Sequence, residues 1–336
     1  MSIPSFTSGS ETRAVSRVDS LDNNLSLKSI IESFLEAISY VPLKADEVPS
    51  ANSLAALTQV TGEEILSWNV DDGQDGKIYI SMVEKAASSI EVELQFCYPH
   101  HTLEAKAAFT LTAWFFFYVD DFATMQSLED CQRRLVLGLP QEDPVLVHLP
   151  DVLGKLYDHW DPVCANTMAC SALDLINGTI LEKRREVCAM SVHHSAHSWP
   201  KYLRSKSGIG AAAACAIFPQ VPHPDISEFI QAIPDIAEFE AFANDILSFY
   251  KEELAGETAS YVHIRAKITS RHPKQVLVEM IQEVGDLHTR ITAILQDHAE
   301  ALVAWKAFET GYIESAWHFT LRRFRLAELG FASTAA

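Results

Sequence analysis

An all-α fold is what the sequence predicts: a single helical domain over residues 26–330 of roughly ten helices. Three observations carry that reading. Apolar residues recur at helical spacing in nearly every segment. Prolines 99, 140, 144, 150, 162, 200, 219, 222, 224 and 273 sit at or near the starts and ends of those segments, where a fixed φ and a missing N–H are tolerated. There is no convincing strand-period segment, internal repeat, low-complexity linker or shift of composition. With 336 residues, 48% of them hydrophobic, the chain can bury one large core.

In chain order, residues 1–25 are Ser-rich and polar and read as a disordered leader. They hold no apolar run of the kind a signal peptide needs, and a transit peptide is disfavoured. LKSIIESFLEAI (27–38) has helical spacing, as does IYISMVEKAASSIEVELQF (78–96), although β-branched residues at 78–92 leave a strand open there. Further helices are expected at about 101–125, 146–158, 161–189, 200–217, 225–254, 274–297 and 300–328. Within the first of these, Ala107–Val119 (AAFTLTAWFFFYV) is apolar all round, so other helices must surround it. At 13 residues it is too short to span a bilayer.

Composition narrows the function. With 26 basic and 45 acidic side chains the formal charge is −19, which argues against a nucleic-acid partner and against an anionic membrane surface. An anionic substrate would need local cations or metal. The cysteines (97, 131, 164, 170, 188 and 215) form no CxxC pair and read as reduced core residues of a cytoplasmic protein.

Two polar stretches carry chemistry. In NDILSFYKEE (244–253), Asn244, Ser248 and Glu252 fall at i, i+4 and i+8, each about 40° further round the helix, and Lys251 returns to nearly the angle of Asn244. Amide, hydroxyl and carboxylate oxygens suit Mg²⁺, which completes its octahedron with water and phosphate. A solvated helix face is the alternative. The second stretch is Asp120-Asp121, directly after the apolar run. Acids there are costly unless they face water, a cation or a metal, and the dipole disfavours them at a helix C-terminus. In a continuous helix Asp120 and Thr124 share a face, and Asp121 points about 100° away.

Taken together these stretches resemble the class I terpene synthases, in particular the trichodiene synthase group of fungal sesquiterpene cyclases. NDILSFYKE matches the family's second metal motif, N-D-x-x-S-x-x-x-E, and Asp120-Asp121 matches the start of its aspartate-rich first motif. SALDLINGTILEK (171–183), YLRSKSGIG (202–210) and GYIESAWHFTLRRFRLAEL (311–329) resemble, in order, a long helix, the segment of a diphosphate-sensing Arg with a glycine break, and the closing helix. The resemblance implies a helical bundle around a central cavity, three Mg²⁺ ions and a farnesyl diphosphate substrate. It also implies metal ligands at Asp120, Asn244, Ser248 and Glu252, and diphosphate contacts from Arg204, Lys251 and Arg323. A kink at Gly208 would turn backbone carbonyls toward the cavity. Family members often form homodimers, although no sequence feature here marks an interface. Two positions depart from the pattern: Thr124 replaces the fifth-position acid, leaving it to act through water, and Phe324 replaces Tyr after the Arg.

The expected reaction is ionisation of an allylic diphosphate, followed by cyclisation of the carbocation to a sesquiterpene hydrocarbon or alcohol. Arginines grip phosphate bidentately and Lys251 acts as a point charge. Aromatic faces suit a carbocation. Trp114, Phe115, Phe116, Phe117, Phe242 and Trp317 are the candidates, with Phe117 and Trp317 first, each against the alternative of plain core packing. The competing readings are a prenyl diphosphate synthase, which would carry a second DDxxD where NDILSFYKE stands, and an impaired isoprenoid-binding homologue. His193 and His197 have the spacing of a zinc helix but lack the Glu of HExxH.

Overall fold

The computed structural model describes residues 26–70, 90–207, 209–318 and 324–331. Among the described residues there are fourteen α-helices, a few short 3₁₀ turns and no strand. The helices are α1 (Leu27–Ala37), α2 (Ala51–Ser67), α3 (Glu91–Cys97), α4 (Leu103–Asp121), α5 (Met125–Val136), α6 (Leu149–Lys155) and α7 (Pro162–Lys183). They continue as α8 (Arg185–Cys188), α9 (Trp199–Ser207), α10 (Gly210–Ala216), α11 (Ile233–Ala255), α12 (Tyr261–Thr269), α13 (Pro273–Leu295) and α14 (Ala299–His318).

Local chemistry sets these boundaries. Ser26, Ser50, Thr102 and Asp161 each accept a backbone N–H in the first turn of the helix that follows. Prolines open α7 and α13, and Gly256 ends α11 in the left-handed conformation that a residue without Cβ adopts freely.

Several expected spans change. The helix at 101–125 stops at Asp121, and Thr124 begins a new one. The span 161–189 breaks at Arg184, whose extended backbone separates α7 from α8. At 225–254, two 3₁₀ turns precede α11, which starts only at Ile233. The last helix, expected to reach 328, is described as far as His318, with a 3₁₀ turn at Leu326–Leu329. The strand left open at 78–92 falls mostly outside the described residues, but Glu91–Cys97 is helical. Helices α2, α5 and α12 had no counterpart in the sequence reading.

Helix α4 is the buried centre that its composition requires, with every residue from Ala105 to Phe116 out of solvent. Helix α7 packs on α4, α9 and α10; α10 packs on α11; α14 packs on α3. The two helices that carry acidic motifs are therefore joined through α7 and α10. Two close approaches depend on glycine. A Cβ on Gly210 would fall inside contact distance of the Ala237 carbonyl of α11, and one on Gly311 would meet the Phe96 carbonyl of α3. Among the described residues no helix is long and apolar enough to cross a membrane. Cys97, Cys131, Cys164 and Cys215 are buried as expected, but Cys170 and Cys188 are exposed, correcting the reading of all six as core.

Candidate active site

Helix α11 carries the polar stripe, and its residues are interlocked. Ser248 is buried and donates its hydroxyl hydrogen to Glu252 Oε1 at 2.5 Å. The other carboxylate oxygen, Oε2, is buried with no hydrogen-bond partner. Asn244 lies one turn before Ser248, half-buried, with its Oδ1 3.5 Å from Arg204 Nη2. Lys251 is half-buried beside Glu252.

Arg204, in the last turn of α9, clamps that helix to α11. Its Nε lies 3.0 and 3.2 Å from the two Asp245 carboxylate oxygens, and its Nη2 donates to the Ala241 carbonyl at 3.1 Å. Both side chains are nearly out of solvent, at 16% and 10% exposure, so removing either partner would leave the other charge buried and uncompensated. Burial works against the guanidinium charge, but the Asp245 and Glu240 carboxylates outweigh it and hold Arg204 above its ordinary range. Burial pushes Asp245 up to about 6; Arg204 opposes this and Glu252 adds to it.

Asp245 and Glu240 are buried carboxylates beside the stripe that the sequence reading did not single out. Asp245 stands inside the quoted motif, and Glu240 falls one turn before Asn244 on the same stripe. For Glu240 the signal was spacing alone. Glu240 Oε1 has a long contact, 3.4 Å, from the Tyr312 hydroxyl of α14.

The first acidic motif is organised differently. Asp120 and Asp121 are exposed at the end of α4, and the Asp120 backbone carbonyl accepts from Lys183 Nζ at the end of α7. Because the helix ends there, Asp120 and Thr124 do not share a helical face. Thr124 is instead the N-cap of α5, its Oγ1 accepting from Ser127 N at 3.1 Å. The hydroxyl keeps a second lone pair and its own hydrogen for a water-mediated contact. A cavity of about 810 Å³ opens beside this turn, lined by Tyr118, Phe122, Thr124 and Arg134 among others.

The remaining candidates divide. Arg323 and Gly208 lie outside the described residues. Phe324 is buried. Phe117 is half-buried and packs against the core. Trp317 is buried and stacks on Phe331 at 5.1 Å. Trp114, Phe115 and Phe116 are buried, and Trp114 meets Trp68 edge-on at 5.4 Å, which makes that pair core packing. Phe242 is buried 5.2 Å from the Tyr261 ring. His193 and His197 stand in an irregular segment, so the helical spacing that a zinc site requires is absent.

Among the described residues no three His, Cys, Asp or Glu side chains cluster as a metal site. The donors on α11 do fit a hard cation, being oxygens of three kinds with one anionic oxygen, Glu252 Oε2, left without a donor.

Known proteins place this geometry. The family model described as trichodiene synthase (TRI5) matches residues 79–332. Terpene synthase BipA of Cochliobolus sativus is 35% identical over 232 residues, covering 68% of this chain and 71% of its own. Longiborneol synthase CLM1 of Gibberella zeae is 32% identical over 239 residues, 70% of each chain. Monoterpene synthase 25 of Postia placenta is 35% identical over 213 residues, covering 62% of this chain and 63% of its own. An all-helical fold with an acid-ended central helix and an Asn/Ser/Glu stripe, in this company, defines a terpene cyclase, a carbon–oxygen lyase. Within that class, the chain belongs to the trichodiene synthase family.

Proposed function

We propose that this cyclase ionises farnesyl diphosphate in a Mg²⁺-dependent reaction and releases a sesquiterpene hydrocarbon or alcohol together with diphosphate. The observation that carries the reading is the partnerless Glu252 Oε2, buried on a stripe with Ser248 and Asn244 and close to a clamped arginine. Mg²⁺ held by Asn244, Ser248 and Glu252, and by Asp120 from α4, would neutralise the charge that develops on the leaving diphosphate. Three ions is the number that the family resemblance implies.

The chain's own residues supply the rest. Arg204 offers diphosphate a fixed fork of donors, held in place by Asp245 and the Ala241 carbonyl. Lys251 adds a point charge on the stripe, and Arg323 is proposed to close from the C-terminal segment. Phe117, Trp317 and Phe324 are proposed as apolar wall, and the break at Gly208 as the point where α9 and α10 adjust to substrate. One catalytic domain over about residues 26–330 would contain all of these groups.

Supplying purified protein with farnesyl diphosphate and Mg²⁺, then analysing the organic layer by gas chromatography–mass spectrometry, tests the reading. A dominant terpene is expected that vanishes with EDTA and falls about 10²–10³-fold in Glu252→Gln. A relative named as a monoterpene synthase makes geranyl diphosphate the necessary parallel substrate. No product from either, or from geranylgeranyl diphosphate, would contradict the proposal.

A further inference from the structure

The stripe on α11 extends one turn deeper than the metal motif. Glu240 precedes Asn244 by four residues, about 6 Å down the helix axis. It is 5% exposed. Its Oε2 is buried with no hydrogen-bond partner, and its Oε1 has only the long contact from Tyr312. The surroundings do not balance its charge. Arg204 attracts it, but the same guanidinium is hydrogen-bonded to Asp245, so one buried cation faces two buried carboxylates. Glu93 on α3 adds like charge. Gly210 of α10 faces Oε2 with backbone alone, since a Cβ there would stand only 3.3 Å from it.

As a purely structural group, Glu240 would be a poor choice. A buried carboxylate without adequate donors costs stability that an amide or an apolar side chain would not. The excess of buried negative charge, placed one turn below the proposed diphosphate site, calls for a positive charge that arrives with the substrate. Resting on the cyclase reading above, we infer that Glu240 is the buried counter-charge for the prenyl cation formed on ionisation, and so a determinant of which product the site releases.

The test separates charge from shape. A tertiary-ammonium analogue of a prenyl cation and its neutral hydrocarbon isostere are titrated calorimetrically into the full chain with Mg²⁺ and inorganic diphosphate. Glu240→Gln is expected to weaken binding of the ammonium compound at least about tenfold, and to leave the neutral isostere and diphosphate within about twofold. Glu240→Asp, which keeps the charge, should recover much of the difference, and the product profile from farnesyl diphosphate should shift in the Gln variant alone. Equal weakening of the charged and neutral ligands, or an unchanged ammonium affinity and product profile, would overturn the inference. Wild-type protein that binds no diphosphate in the presence of Mg²⁺ would instead overturn the cyclase reading and, with it, this one.

Discussion

At the end of α4, Asp120 and Asp121 stand exposed beside a turn, with Thr124 already committed to capping the next helix. On α11 the polar groups are interlocked: Arg204 with Asp245, Ser248 with Glu252, Tyr312 with Glu240. The difference teaches that one protein can hold two kinds of acidic motif. The first lies at the solvent-exposed end of its helix. The second is part of the core, so its substitution affects stability and chemistry together.

The largest expected effect would break that contrast at its strongest point. Asp245→Ala leaves the Arg204 guanidinium buried without its carboxylate and should lower unfolding free energy by about 3–5 kcal/mol, read from urea melts. Asp120→Asn, on the exposed side, should change stability by less than about 0.5 kcal/mol while still lowering turnover. Equal destabilisation by the two would show that the motifs are built alike.

Next in size is a pH effect. Burial raises the Glu240 carboxyl from 4.5 to about 7. Between those values the native state holds a proton that the unfolded chain has lost, so stability falls as pH rises through this window. Glu240→Gln removes that loss. The variant should therefore be more stable than the wild type at pH near 8, by about 3 kcal/mol at most, with the gap closing toward pH 4.5. Thermal melts across pH check this, and a variant less stable at every pH would contradict it.

Smaller still is the cap. Thr124→Ala should cost about 1 kcal/mol through loss of the bond to Ser127 N. Thr124→Asp keeps a capping oxygen and adds an acid beside the α4 motif. Its melting temperature should stay within a degree or two of wild type while its apparent Mg²⁺ affinity in turnover assays rises.

The sequence made the helical class legible because apolar periodicity survives wherever a helix has one buried face, as in α1, where Ile30, Ile31 and Phe34 point inward. It missed α5, which buries only Leu128 and Cys131, and α2, whose inward stripe of Leu57, Thr61 and Ile65 includes a polar residue. The stripe of Asn244, Ser248 and Glu252 was readable from spacing, since helix geometry alone puts those residues on one face. Asp245 was not, because its partner Arg204 lies 41 residues away in sequence and only packing of α9 on the rest of the bundle brings them together. Thr124 shows the opposite error. Reading it as helical overlooked that a Thr three residues before Ser127 also satisfies a helix start.

The most direct test of the account is a calorimetric titration of inorganic diphosphate, with and without Mg²⁺, into wild-type protein and Glu252→Gln. Binding that requires Mg²⁺ in the wild type and is lost in Glu252→Gln, with the variant still folded by a cooperative thermal melt, is the predicted result. Metal-independent binding, or undiminished binding by the variant, would contradict the assignment of the α11 stripe as the ion-holding face of the site.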